Sequence, residues 1–141
     1  MRYVVGAVHD LPPGSSTIVY PDEVKSGVGV FNVAGEFYAL KNTCPHMGGP
    51  LCRGRVRGTS MAEATEDGRL EMHWVRNGEI ISCPWHHWEF EIKTGRTIFS
   101  SRRRVISYPV SIEPAEVNER LQAGVETVPI SVENATVVID V

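Results

Sequence analysis

Cys44-Pro45-His46-Met47-Gly48-Gly49-Pro50-Leu51 and Cys83-Pro84-Trp85-His86 are two short stretches built on one pattern, a cysteine followed by proline and, two or three residues on, by histidine. Thiolate and imidazole donors in such proximity suit zinc, copper or iron–sulfur chemistry. A Cys2His2 set could hold a tetrahedral structural zinc, but the usual order groups cysteine with cysteine and histidine with histidine. Here each stretch supplies one of each, in the same order. That suits a centre of two unlike irons, one bound by both thiolates and the other by both imidazoles.

Working outward, each motif follows a strand pattern. Gly29-Val30-Phe31-Asn32-Val33 and Glu36-Phe37-Tyr38-Ala39-Leu40 flank Ala34-Gly35, a two-residue hairpin break that leads directly into Asn42-Thr43-Cys44. Before them, residues 2–8 and 16–20 are short β-branched runs separated by the turn residues Leu11-Pro12-Pro13-Gly14. Residues 55–70 are polar, without a clear period, and are expected to form an exposed excursion. Glu71–Arg76 alternates, Asn77-Gly78 carries the strongest short hairpin signal, and Glu79–Ser82 is expected to return toward Cys83. Trp88-Glu89-Phe90-Glu91-Ile92 alternates strictly before the turn Lys93-Thr94-Gly95-Arg96, and Val105–Ile112 reads as a further strand. Pro114–Gln122 is expected to be a short helix, and Val128–Val132 with Thr136–Val141 a final hairpin. The expectation is an all-β, antiparallel single domain over residues 1–141.

Cys44-Pro45-His46-Met47-Gly48-Gly49-Pro50-Leu51 and Cys83-Pro84-Trp85-His86, with Trp88-Glu89-Phe90 and Thr94-Gly95 after them, closely resemble the Rieske proteins, above all the ferredoxins and N-terminal domains of ring-hydroxylating oxygenase systems. The specific part of the resemblance covers about 44–96. It implies a small Rieske-type β sandwich of antiparallel strands, with a cluster-binding subdomain of two loops at about 42–96, and one [2Fe–2S] cluster. By position, Cys44 and Cys83 would bind the buried iron, and His46 and His86 the outer one. Pro45 and Pro84 would stiffen the loops, Gly48 and Gly49 would let backbone approach the cluster, and Leu51, Trp85 and Phe90 would shield sulfur from water. One departure is His87, where many relatives have glycine; a solvent-facing side chain is expected there.

The high-potential members of the family carry an extra cysteine in each loop and two hydroxyls beside the cluster. The matching positions here are Gly49 and Trp85, and Trp88 and Phe90. Without those hydrogen bonds to sulfur, a low-potential carrier is expected. The resemblance implies a soluble ferredoxin passing single electrons from a reductase to an oxygenase-type acceptor. Alternatives are a small iron–sulfur subunit of a multicomponent oxidoreductase, like the nitrite reductase small subunit, or a zinc-stabilised β module. An oxygenase's mononuclear iron would need a further His, His and carboxylate set. Only His9, His73 and His87 remain, with no ligand spacing among them, so no substrate-converting centre is expected in the chain itself.

Composition sets the remaining bounds. A formal net charge of −3 argues against nucleic acid as the main partner and offers no polybasic membrane anchor. No apolar run reaches the roughly 20 residues that span a bilayer. Met1–Val8 is too short an apolar stretch for a signal peptide and reads as a first strand of a cytoplasmic protein. The three cysteines leave Cys52 over once Cys44 and Cys83 are ligands, which speaks against a disulfide framework. Arg102-Arg103-Arg104 is expected to be a solvated strand edge, with partner docking as its other reading.

Overall fold

The computed structural model describes residues 1–99, 102–114 and 135–141. Within these residues ten strands run in chain order: β1 Arg2–Ala7, β2 Ser16–Val19, β3 Val28–Val33, β4 Glu36–Lys41, β5 Arg55–Ala64, β6 Leu70–Ser82, β7 Glu89–Glu91, β8 Ser107–Tyr108, β9 Val110–Pro114 and β10 Ala135–Asp140. The described residues contain no α-helix, only 3₁₀ turns at Val8–Asp10 and Leu51–Arg53. The helix expected at Pro114–Gln122 lies outside the described residues beyond Pro114, which ends β9; so does the strand expected at Val128–Val132.

Three antiparallel sheets result, in the orders β1-β10-β9, β2-β3-β4-β8 and β5-β6-β7. The β3–β4 hairpin is the centre of the molecule. Its turn uses Ala34 (φ 52°) and Gly35 (φ 94°), the paired left-handed conformation that matches strand twist in a two-residue loop. All six residues of β3 are buried, because this sheet is covered on both faces. Val28 and Val30 join Ala39, Val137 and Ile139 in a core shared with the β1-β10-β9 sheet. Phe31 and Val33 point the other way, into a second core with Leu40, Leu51, Ile81, Phe90 and both Cys44 and Cys83. Side chains alternate along a strand, so one hairpin builds both cores and ties the cysteine loops to the sandwich.

The second hairpin differs from the sequence expectation. Asn77-Gly78 does not reverse the chain; it lies inside β6, whose partner on both sides is β5. The register passes from Arg57↔Ile80 to Thr59↔Val75, so Gly58 alone faces residues 76–79 in a wide bulge. The positive φ angles fall at Arg76 (57°) and Gly78 (85°), whereas a two-residue turn would have put them at Asn77 and Gly78, so the local signal misleads. The reversal occurs instead around Thr65–Arg69, closed by the Thr65 amide donating to the Arg69 carbonyl at 2.8 Å. Residues 55–70, for which the sequence shows no period, are thus β5 and its turn. Gly58 permits the bulge: a Cβ there would meet the Val75 carbonyl and lie 2.8 Å from Trp74 Nε1.

Candidate iron–sulfur site

Both expected ligand loops leave strands at the same end of the second core, Cys44 after β4 and Cys83 after β6. Each then folds the same way. In the first, the Cys44 amide donates to the Gly49 carbonyl (2.8 Å) and the Gly48 amide to the Cys44 carbonyl (2.8 Å). In the second, the Cys83 amide donates to the Trp88 carbonyl (2.8 Å) and the His87 amide to the Cys83 carbonyl (2.9 Å). The two loops are one turn built twice. His87 occupies the position equivalent to Gly48, and both take left-handed φ, 60° and 78°.

A non-glycine residue held there costs about 1–2 kcal/mol, partly compensated by the lower entropy of its unfolded chain. His87→Gly is therefore expected to stabilise the protein by roughly 0.5–1 kcal/mol. A urea titration reads this as a raised midpoint; a lowered midpoint would mean that the imidazole makes a compensating contact. The His87 side chain is exposed, as expected from the sequence.

The four expected ligands come together as two pairs. Cys44 and Cys83 are both buried at 2% exposure and interact with one another. Burial pushes the Cys44 thiol above its ordinary value; the His46 and Met47 backbone amides act in the opposite direction, and the Cys83 thiol raises it further. Those amides are donors aimed at sulfur, the role that proline at position 45 cannot take. The His46 and His86 rings meet edge to face, with centroids 4.8 Å apart. Burial, the adjacent His86 and then Arg103 hold His46 below the usual imidazole value, favouring the neutral form that can donate to a metal. His46 Nδ1 is buried without a hydrogen-bond partner. A buried, orphaned imidazole nitrogen is costly unless something binds it, and a metal does so.

The donor set fits two irons better than one zinc ion. Among the described residues, no three His, Cys, Asp or Glu side chains are gathered as around a single ion. Two thiolates and two imidazoles in separate pairs match a cluster with two protein ligands per iron.

The surroundings contain a feature that the sequence reading missed. Trp88 stacks flat on His46, at 4.0 Å between centroids and 11° between planes. Phe99 meets Trp88 edge-on at 4.9 Å, and the Arg103 guanidinium lies 5.6 Å from the indole centre. Its only sequence signal is the alternation that places Trp88 and Phe90 on one side of the chain. Of the three expected shields, Leu51 and Phe90 are fully buried beside the cysteines. Trp85 is 55% exposed and instead covers Gly49, where a Cβ would lie 2.8 Å from its ring. His9 sits in the turn after β1, near Asp10 (3.3 Å), and His73 lies on the outer hairpin between Glu63 (3.5 Å) and Glu71 (3.4 Å). Cys52 is buried, its thiol donating to the Leu40 carbonyl at 3.4 Å, and burial pushes its pKa from 9.0 up to about 12.

Residues 1–109 match the model of the Rieske [2Fe–2S] domain. The chain belongs to the Rieske family. Its cofactor is accordingly a [2Fe–2S] cluster. This Rieske chain is 34% identical over 98 residues to the ferredoxin component of the 2,4-dinitrotoluene dioxygenase system of Burkholderia sp. (strain RASC), covering 69% of this chain and 75% of that one. Among solved structures it resembles the ferredoxin of Sphingomonas yanoikuyae B1, with a TM-score of 0.56 and 26% identity, over 80% of this chain and 91% of the other. It also shares its fold with a chain described as an NADH-dependent nitrite reductase small subunit from Mycobacterium tuberculosis (TM-score 0.59, 20% identity, 100% and 96% covered). No helix among the described residues is long and apolar enough to cross a membrane.

Proposed function

We propose that this protein is a single-domain, low-potential Rieske ferredoxin of the cytoplasm, carrying single electrons from a reductase to an oxygenase. Cys44 and Cys83 hold the inner iron, and His46 and His86 the outer one. The observation that carries the ligand assignment is the buried, unpartnered Nδ1 of His46, whose ring meets that of His86 at 4.8 Å. When bound, the cluster accepts and returns one electron. The chain's own residues do the rest. Leu51 and Phe90 keep water from the cysteine side, the His46 and Met47 amides face sulfur, and Trp88 holds the His46 ring in one plane. The exposed His86 edge, with Met47 and Trp85 beside the loops, offers a partner a short route to the outer ligands.

The role follows the dioxygenase ferredoxin relatives. The potential follows the residues. Trp88 and Phe90 carry no hydroxyl to donate to cluster sulfur, which leaves the oxidised cluster harder to reduce. Arg103 acts the other way, but it is exposed and screened by salt. Purified protein should be red-brown, with two irons and two acid-labile sulfides per chain, and a midpoint toward the low end of the roughly −150 to +300 mV Rieske span. Protein-film voltammetry giving a midpoint well above about +100 mV would overturn the low-potential reading. A colourless zinc protein would overturn the cluster.

A second reading, a small subunit of a larger oxidoreductase, is favoured by the end-to-end fold likeness to the nitrite reductase small subunit. Copurification with a catalytic chain at fixed stoichiometry would select it.

A further inference from the structure

The chain is acidic overall, with a formal net charge of −3, yet the charge beside the ligand loops is positive. A cleft of about 310 Å³ opens against the second loop, lined by Cys83, Pro84 and His87 and by Arg53, Arg55 and Arg57; no carboxylate of the described residues lines it. Arg57 is committed, 4.8 Å from the Trp74 ring centre and 3.8 Å from Glu89. Arg53 and Arg55 are exposed, and Arg53 lies 3.4 Å from the neutral Tyr20 hydroxyl. Arg103 brings a further charge to the indole that covers His46. None of the ion pairs among the described residues engages Arg53, Arg55 or Arg103.

We infer that Arg53, Arg55 and Arg103 form a basic docking rim around the exit for the electron, and that the redox proteins which dock there present an acidic face. This rests on the reading that His46 and His86 are the outer ligands. Charge segregation of this kind orients the encounter. A partner with carboxylates around its own centre is drawn to the ligand loops, whereas the acidic remainder of the chain repels it. Binding of the cluster does not alter the balance, because the positive charge of two ferric ions and two sulfides is offset by the protons the two cysteines release.

The test sets local charge against net charge. Holoprotein is reduced in a flash experiment by the semiquinone of flavin mononucleotide, which carries a phosphate, and by that of riboflavin, which does not. In each case one electron passes from flavin to cluster, leaving oxidised flavin. The rim predicts that the flavin mononucleotide rate falls several-fold from low salt to about 0.5 M, while the riboflavin rate stays nearly flat. Arg53→Glu/Arg55→Glu should reverse that slope without changing the visible spectrum. Separately, wild-type protein should be retained on heparin at low salt and the double variant should flow through. A flavin mononucleotide rate that rises with salt in the wild type, as a net charge of −3 alone dictates, would overturn the inference; so would equal heparin elution of the two proteins. If instead the ligand assignment is at fault, neither flavin bleaches a Rieske spectrum, yet heparin retention still reports the rim.

Discussion

Replacing Cys83 by serine is expected to remove the cluster, with iron falling from two per chain to near none and the visible colour lost. On the proposed assignment the thiolate is what makes this position an iron ligand, and serine, though nearly isosteric, stays a neutral alcohol. The loss should extend to folding. Cys83 sits at 2% exposure in the same core as Cys44, Leu51, Ile81 and Phe90, so the empty loops leave a polar, incompletely filled junction between two sheets. The control is Cys52→Ala. Cys52 is also buried, but its thiol meets the Leu40 carbonyl and the Gly29 backbone rather than the other two cysteines. That variant should keep two irons per chain and lose only about 1–2 kcal/mol from the small cavity. His86→Cys completes the series: a third thiolate should retain some cluster and lower its potential, because thiolate places more negative charge on the outer iron than neutral imidazole. Iron analysis and voltammetry read all three. Full iron in Cys83→Ser, or a colourless Cys52→Ala, would mean that the ligand set is wrong.

Gly54→Ala should be the most damaging single methyl in the protein. Gly54 takes φ −72° and ψ 179°, angles open to any residue, so backbone freedom is not what requires glycine. The requirement is steric. An added Cβ would overlap the Ser82 carbonyl oxygen and lie 3.0 Å from the Leu51 carbonyl. Both obstacles are backbone, so no rotamer can relieve them. Gly54 joins the turn Leu51–Arg53 to β5, and Ser82 ends β6 immediately before Cys83. The contact is therefore the seam that sets one ligand loop against the other. We expect a cost of about 3 kcal/mol with partial loss of cluster. Gly48→Ala makes the informative comparison. Its Cβ would meet no protein atom within 4 Å, but φ is 78°, so the expected cost to the protein fold is the left-handed penalty of about 1 kcal/mol. Chemical denaturation with iron analysis would rank the two; Gly54→Ala as stable as the parent would refute the steric argument.

What the amino-acid order alone determined is local. The mixed Cys/His order in Cys44–His46 and Cys83–His86 carries the proposed ligand chemistry, since donor type and spacing belong to the covalent chain. Ala34-Gly35 specifies the β3–β4 hairpin, because a two-residue turn is decided by which residues tolerate left-handed φ. The equivalence of Gly48 and His87 was half visible, as a departure whose backbone meaning required the second loop for comparison. Asn77-Gly78 marks where that logic ends. Gly78 takes the left-handed φ that such a turn uses and Asn77 does not, and whether the pair reverses the chain or lies in a bulge depends on whether a partner strand continues past it, which β5 does. The pairing of β1 with β10, from opposite ends of the chain, was likewise decided by which faces could be buried together against Val28 and Val30. So were the seam at Gly54 and the stack of Arg103 on Trp88 on His46. Turn chemistry and ligand type act over a few residues and can be read in order. Burial, close approach and charge placement act between residues that are neighbours only after folding, and there the tertiary structure decides.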